Sequence, residues 1–275
     1  MKKFKVGLQL FSIREEMAKD MDKALAAVKE MGYDYVEFAG FYDKPVEEVK
    51  ALLKKHGLEA VSVHQAYAPL VDNRETTLEY LKELGVKYCT IPWYPYEKLA
   101  NEWDETVKFM TELGEDVNKK GMKLLYHNHE FEFEKQDGEP MLNRLYEEVP
   151  SEYLNPQFDT CWVHYAGVNP AEHLKKYAGR IEVVHIKDFV CDKFGEGPVY
   201  ELIGEIDTKK GVSREDNGFR YKPIGSGIQD WKAILEACEE AGTEYVIVEQ
   251  DSWYDSTGIE EARKSRQYLK DSFGI

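Results

Sequence analysis

The chain has 275 residues, 43% hydrophobic and 32% charged, which supplies a sizeable core and excludes global disorder. Its formal net charge of -16 argues against a nucleic-acid partner, because gripping a phosphate backbone takes a concentrated basic face. Cys89, Cys161, Cys191 and Cys238 are scattered without paired spacing, so no disulfide framework or zinc knuckle is expected and a cytoplasmic setting is the simplest.

Phe4–Leu10 is a short apolar strand; Gln9, Ser12 and Arg14 interrupt the run before it reaches the length of a signal-peptide core. Asp20–Met31 spaces Met21, Ala24, Leu25 and Val28 for a helix that stops at Gly32. Tyr33–Phe38 is a second strand holding Glu37, and Pro45 opens a helix closed by Gly57. Leu58–His64 is the third strand. A helix over Asn73–Leu84 ends at Gly85, and Val86–Ile91 is the fourth strand, followed by Pro92-Trp93.

A long helix from Asn101 to Lys120 leads to Lys123–Phe133, which starts as a buried strand and breaks into His127-Asn128-His129-Glu130. A core does not accept such polar groups unpaired, and along a strand His127 and His129 share one face. Pro140–Glu148 is helical, and Leu154–Phe158 is the sixth strand, ending in Asp159. A helix over Pro170–Tyr177 precedes the seventh strand, Ile181–Ile186, which carries His185 and then Lys187-Asp188. Trp231–Ala241 is helical, Tyr245–Val248 is the eighth strand ending in Glu249, and a last helix runs from Gly258 to Lys270. No apolar run is long enough to span a membrane.

Strands alternating with helices require parallel pairing, and eight units close into a single (β/α)8 TIM-barrel domain over 1–275. A doubly wound sheet would show a glycine-rich turn after its first strand, where this chain has Leu10-Phe11-Ser12. The long connection Phe189–Ile228 after the seventh strand reads as a substrate-covering flap, with strand-like content at Val199–Ile206.

In a barrel the C-terminal strand ends converge, so Glu37, His64, Trp93, His127, His129, Asp159, His185 and Glu249 become neighbours. Each has a plain reading: His64 or His129 as a hydrogen-bonded wall residue, Asp159 as a turn cap, Lys187 paired with Asp188, Glu249 in water. Their coincidence on strands five to eight favours a divalent cation instead. Mixed His, Asp and Glu donors suit manganese, cobalt, iron or zinc. Cys161 is expected to pack, and His164 and His173 to be surface or helix residues.

Gly7-Leu8-Gln9-Leu10-Phe11-Ser12, Tyr126-His127-Asn128-His129, His185-Ile186-Lys187-Asp188 and Pro223-Ile224-Gly225-Ser226-Gly227-Ile228-Gln229-Asp230-Trp231 resemble the sugar phosphate isomerase/epimerase family of xylose-isomerase-like barrels. The resemblance covers nearly the whole chain. It implies a metal held by Asp159, His185 and Glu249, with His127 where many relatives carry glutamate. Ketose 3-epimerases resembling this family use two glutamates on opposite faces of the sugar, and here one is missing.

A metal chelating a carbonyl and its neighbouring hydroxyl acidifies the adjacent C–H, and a positioned base removes the proton to give an enediolate. Glu249, His129, Glu37 and Lys187 are the expected catalytic groups. Gln9, Phe11, His64 and Trp93 are expected to bind substrate, the aromatics by stacking on a sugar face. The leading expectation is an isomerase or epimerase of a small sugar, with a second copy of the chain as an expected partner. A lyase on an oxidised sugar is the alternative, and a carbohydrate-binding barrel without turnover is a third. Gly225-Ser226-Gly227 lies where barrels hold phosphate, though a glycine turn before a helix is the plainer reading.

Overall fold

The computed structural model describes residues 4–194, 214–254 and 256–275. Eight strands form one closed parallel barrel: β1 (Lys5–Gln9), β2 (Tyr35–Phe38), β3 (Glu59–His64), β4 (Tyr88–Ile91), β5 (Lys123–His127), β6 (Asn155–Asp159), β7 (Val183–Ile186) and β8 (Tyr245–Val248). Closure is direct: β1 pairs with β2 on one side and with β8 on the other. That removes the open-sheet alternative.

The helices stop where the sequence punctuates them. Gly32, Gly57, Gly85 and Gly242 all adopt left-handed backbone at helix C-termini, the conformation glycine reaches without a Cβ penalty. Short helices at Arg14–Lys19, Tyr67–Asp72, Tyr96–Asn101 and Thr160–Tyr165 add to the eight expected. They lie in the connections that follow β1, β3, β4 and β6, and so build the rim of the mouth.

Two apolar layers hold the barrel. Strand residues pointing outward, such as Leu8, Val36, Phe158, Val184 and Val246, are buried with the helices' apolar stripes. Inside, Val61, Tyr88, Leu125, Val183, Tyr245 and Ile247 form a separate plug. Removing one such buried aliphatic side chain costs about 2–5 kcal/mol. Gly7 makes room for this plug: a Cβ there would sit 2.6 Å from Ile247 Cδ1.

Register explains which side chains reach the mouth. A shift between Val36 and Glu37 pairs Val36 with Ala60 but Glu37 with Ser62, a bulge that leaves Val61 without a partner on β2 and turns Ser62 and His64 inward. On β6 the period of two puts Gln157 beside Asp159, and beyond β7 it puts Lys187 above His185.

The ends of the expected flap are seen as a two-stranded antiparallel ribbon, Asp188–Val190 with Arg220–Lys222. Phe189, Phe219 and Tyr221 pack there with Cys161, Trp162 and Tyr165. Residues 195–213, including the strand-like stretch Val199–Ile206, lie outside the described residues. All four cysteines are free, and Cys161 is fully buried packing, as expected. His164 and His173 both sit on helices, but His173 is buried between Phe158 and Tyr177 rather than on the surface. Among the described residues no helix is long and apolar enough to cross a membrane.

Candidate active site

A cavity of about 430 Å³ opens at the C-terminal ends of the strands, lined by Phe11, His64, Trp93, His127, His129, Lys187 and Glu249 among others. Its size falls in the range of small-molecule sites, roughly 300–1,000 Å³. A hollow of about 490 Å³ near His164, Phe194 and Ile228 is lined by none of these strand-end side chains. The convergence of ionisable groups places the site at the mouth.

Glu37 lies one layer beneath the cavity, fully buried. Its Oε1 accepts from Gln9 Nε2 at 2.6 Å and His185 Nε2 at 2.6 Å, with His64 Nε2 at 2.9 Å. Its Oε2 accepts from Gln157 Nε2 at 2.7 Å. Burial favours the neutral acid, but the His64 and His185 imidazoles outweigh it and hold Glu37 well below the usual carboxylate range. Gln9 is likewise buried, with its Oε1 accepting the Phe11 N–H. Both residues therefore support the mouth from below.

His185 is wedged between two carboxylates. Its Nε2 meets Glu37 and its Nδ1 meets Glu249 Oε2 at 2.8 Å. Burial would lower its pKa, yet Glu37 and Glu249 raise it to about 10, so the two carboxylates favour the protonated ring in the metal-free protein, and ligating a metal through Nδ1 would release that proton. The His64 ring stacks on it at 4.9 Å.

Lys187 does not pair with Asp188. Its Nζ lies 2.9 Å from Asp159 Oδ2, 3.0 Å from Glu249 Oε2 and 3.0 Å from Asp251 Oδ2. Glu249 is buried, which would raise its pKa, but Lys187 and His185 hold it well below the usual range. Burial raises Asp159 against the pull of Lys187. Asp159 Oδ1 caps the Thr160–Tyr165 helix through the Cys161 and Trp162 N–H groups, so the cap reading holds for one oxygen. The other oxygen has an ion-pair neighbour but no hydrogen bond of good geometry.

His127, His129 and Glu132 complete the site. Burial, then the neighbouring His185 and His64, keep His127 neutral. His127 Nδ1 meets Gln157 Oε1 at 3.2 Å; as a donor there, it presents the Nε2 lone pair toward Asp159 Oδ2 at 3.6 Å. His129 is also held neutral by burial, then by the positive Lys187 and Arg214. Glu132, buried, accepts from the His129 N–H at 2.8 Å and from Tyr126 Oη at 2.9 Å. Burial raises its pKa to about 8, so it is an uncharged brace for the loop presenting His129.

His127, Asp159, His185 and Glu249 each offer a donor atom, all within 4.8 Å of one another. Two imidazoles and two carboxylates from four successive strands fit a borderline divalent metal. The inward lone pair of His127 and the under-bonded Asp159 Oδ2 point the same way. Glu37, behind His185, stands where an orienting carboxylate holds a metal-ligating histidine.

The structure thus brings all the strand-end residues together. Sequence reasoning missed Gln157, Asp251 and Glu132. Gln157 had a readable signal, a polar residue two before Asp159 and hence on the same inward face.

Residues 25–272 match the profile described as xylose isomerase-like TIM barrel. An inosose dehydratase of Geobacillus thermodenitrificans (strain NG80-2) is 28% identical over 283 residues, spanning 98% of this chain and 86% of that protein. A sugar phosphate isomerase/epimerase from Parabacteroides distasonis ATCC 8503 superposes with a TM-score of 0.74 at 20% identity, covering 99% of this chain and 96% of the other. The IolI protein, solved with a binding zinc atom, gives 0.70 at 20% identity over 97% of both chains. By the profile match across most of its length, the chain belongs to the xylose isomerase-like TIM-barrel family.

Proposed function

We propose that the protein is a lyase that removes water from a small polyhydroxy ketone by way of an enolate. The observation that carries this reading is that Glu249 is the one glutamate lining the described cavity. Glu37 is locked below by Gln9, His64, His185 and Gln157, and β5 ends in His127. Two-base epimerisation uses a carboxylate on each face of the substrate; elimination on one face needs only one.

A divalent cation held by His127, Asp159, His185 and Glu249 would polarise the ketone and acidify its adjacent C–H. Glu249, kept ionised by Lys187 and His185, takes that proton. The Lys187 ammonium at the cavity wall stabilises the developing enolate oxygen. Glu249 then returns the proton to the departing hydroxyl on the same face. One C–H and one C–O bond break, a C=C bond forms, and one water leaves. Phe11 and Trp93 stack on the substrate's apolar face. The inosose dehydratase relative, whose name is that of a dehydratase, supports the same reading.

A second reading, epimerisation or isomerisation, is favoured by the neutral His129 in the cavity wall, an imidazole able to exchange a proton on another face. Incubating metal-loaded protein with a panel of polyhydroxy ketones in deuterated water separates the readings. Elimination yields a product one water lighter. A product of unchanged composition carrying deuterium beside the carbonyl supports the second reading. Absence of both reactions across the panel overturns both.

A further inference from the structure

The Gly225–Gln229 loop precedes the Trp231–Ala241 helix after β7, close to where many TIM barrels seat a phosphate on backbone N–H groups. In this chain every one of those N–H groups has an internal acceptor. Asp188 Oδ2 accepts from the Gly225 N–H at 2.9 Å and the Gly227 N–H at 3.1 Å, and Oδ1 from the Gln229 N–H at 3.3 Å. The Ser226 N–H goes to the Pro223 carbonyl and the Ile228 N–H to the Phe189 carbonyl. Asp188 also accepts from Trp231 Nε1 at 2.8 Å and from the Phe189 N–H at 2.9 Å.

Asp188 is fully buried, while Gly225 and Ser226 are exposed. Three of the loop's five N–H groups therefore turn inward onto one carboxylate, and the other two onto backbone carbonyls. Its closeness needs glycine: a Cβ on Gly227 would stand 2.1 Å from Asp188 Oδ1 and 2.4 Å from the Phe189 carbonyl oxygen. A nest of N–H groups is an anion site, and this one is already filled by the chain's own anion.

We infer that Asp188 is a built-in counter-anion that closes this nest to phosphate, and that the substrate is an unphosphorylated polyhydroxy ketone. The inference rests on the function proposed above and narrows its substrate class. A phosphate monoester brings about -1.5 to -2 charges at neutral pH, and here it would meet a carboxylate and no spare donor. Among the described residues lining the cavity, Lys187 is the one cation, and three carboxylates already surround it. Asp188 acts as a positioning residue: it fixes the loop and the strand end from which Lys187 projects.

The test has two arms. In the first, inorganic phosphate is titrated to tens of millimolar into the ¹⁵N-labelled full chain, with chloride at matched ionic strength as control. The Gly225, Gly227 and Gln229 amides and the Trp231 indole N–H should not move beyond the control in the wild type, and should shift saturably in Asp188→Ala. Saturable shifts in the wild type, or a folded Asp188→Ala that ignores phosphate, would overturn the inference. If that variant does not fold, the wild-type titration still decides. In the second arm, kcat/KM is compared for a polyhydroxy ketone and its own phosphate monoester. The unphosphorylated member should be preferred on the order of tenfold or more, and preference for the ester would overturn the inference. If neither is turned over, the proposed function fails while the amide titration still judges the nest.

Discussion

Replacing Glu37 by glutamine probes the layer beneath the site without changing its size. The carboxylate takes donors on both oxygens: Gln9, His185 and His64 on Oε1, and Gln157 on Oε2. An amide has one acceptor oxygen, so one face must become an NH2. Turned toward Gln157, it meets the Nε2 amide, and Gln157 cannot flip freely because its Oε1 faces His64 and His127. Turned the other way, it confronts three donors. His185 also loses one of the two carboxylates that keep it charged. Breaking a buried ion pair by removing one partner costs about 3–5 kcal/mol. At about 2 °C per kcal/mol for a chain of this size, the melting temperature should fall by about 6–10 °C. Loss of the carboxylate behind a ligating histidine should also weaken metal binding about 10–100-fold. Scanning calorimetry and metal titration of Glu37→Gln check both. A melting temperature within a degree of wild type, with unchanged metal affinity, would refute the network's role.

Asp159→Asn should keep the helix cap, because one carbonyl oxygen remains for the Cys161 and Trp162 N–H groups. Its main effect should be loss of metal from the purified protein, with activity partly restored by excess metal. Lys187→Met leaves Asp159, Glu249 and Asp251 facing one another without their shared cation. The metal-free variant should lose about 3–5 kcal/mol of stability and recover much of it on adding a divalent cation, read as a larger metal-induced rise in melting temperature than in wild type. Glu132 has its folded pKa raised to about 8, so its contribution to stability is fully present below about pH 4.3, the unfolded value. It is lost as pH rises through 8. Denaturant titrations of Glu132→Gln should therefore show a shallower fall in stability between pH 5 and 9 than wild type.

The strands were legible because inward and outward faces alternate under strong apolar runs, and Gly32, Gly57, Gly85 and Gly242 end their helices visibly. The strand-end residues His127, Asp159, His185 and Glu249 were legible because a barrel gathers strand ends by topology alone. Their hierarchy was not. Glu37 and Glu249 look alike in sequence, and only the Val36–Glu37 register shift and the surrounding Gln9, His64 and Gln157 separate the buried brace from the open base. The plain alternative for Lys187, a pair with Asp188, fails for a related reason. Adjacent residues on a strand point to opposite faces, so Asp188 turns to the Gly225–Gln229 loop while Lys187 turns to the mouth. Asp251 lies past the strand end, where no periodicity marks its direction.

The most direct test of the central claim compares wild type and Glu249→Gln, both loaded with the same divalent metal and matched in metal content. Each is given a polyhydroxy ketone substrate in deuterated water, and product mass and exchange beside the carbonyl are followed by proton NMR. Wild type should form a product one water lighter. Glu249→Gln should remain folded and lose elimination and exchange together by on the order of a hundredfold or more, as removal of a positioned base does. Near-wild-type elimination by the metal-loaded variant would contradict the account.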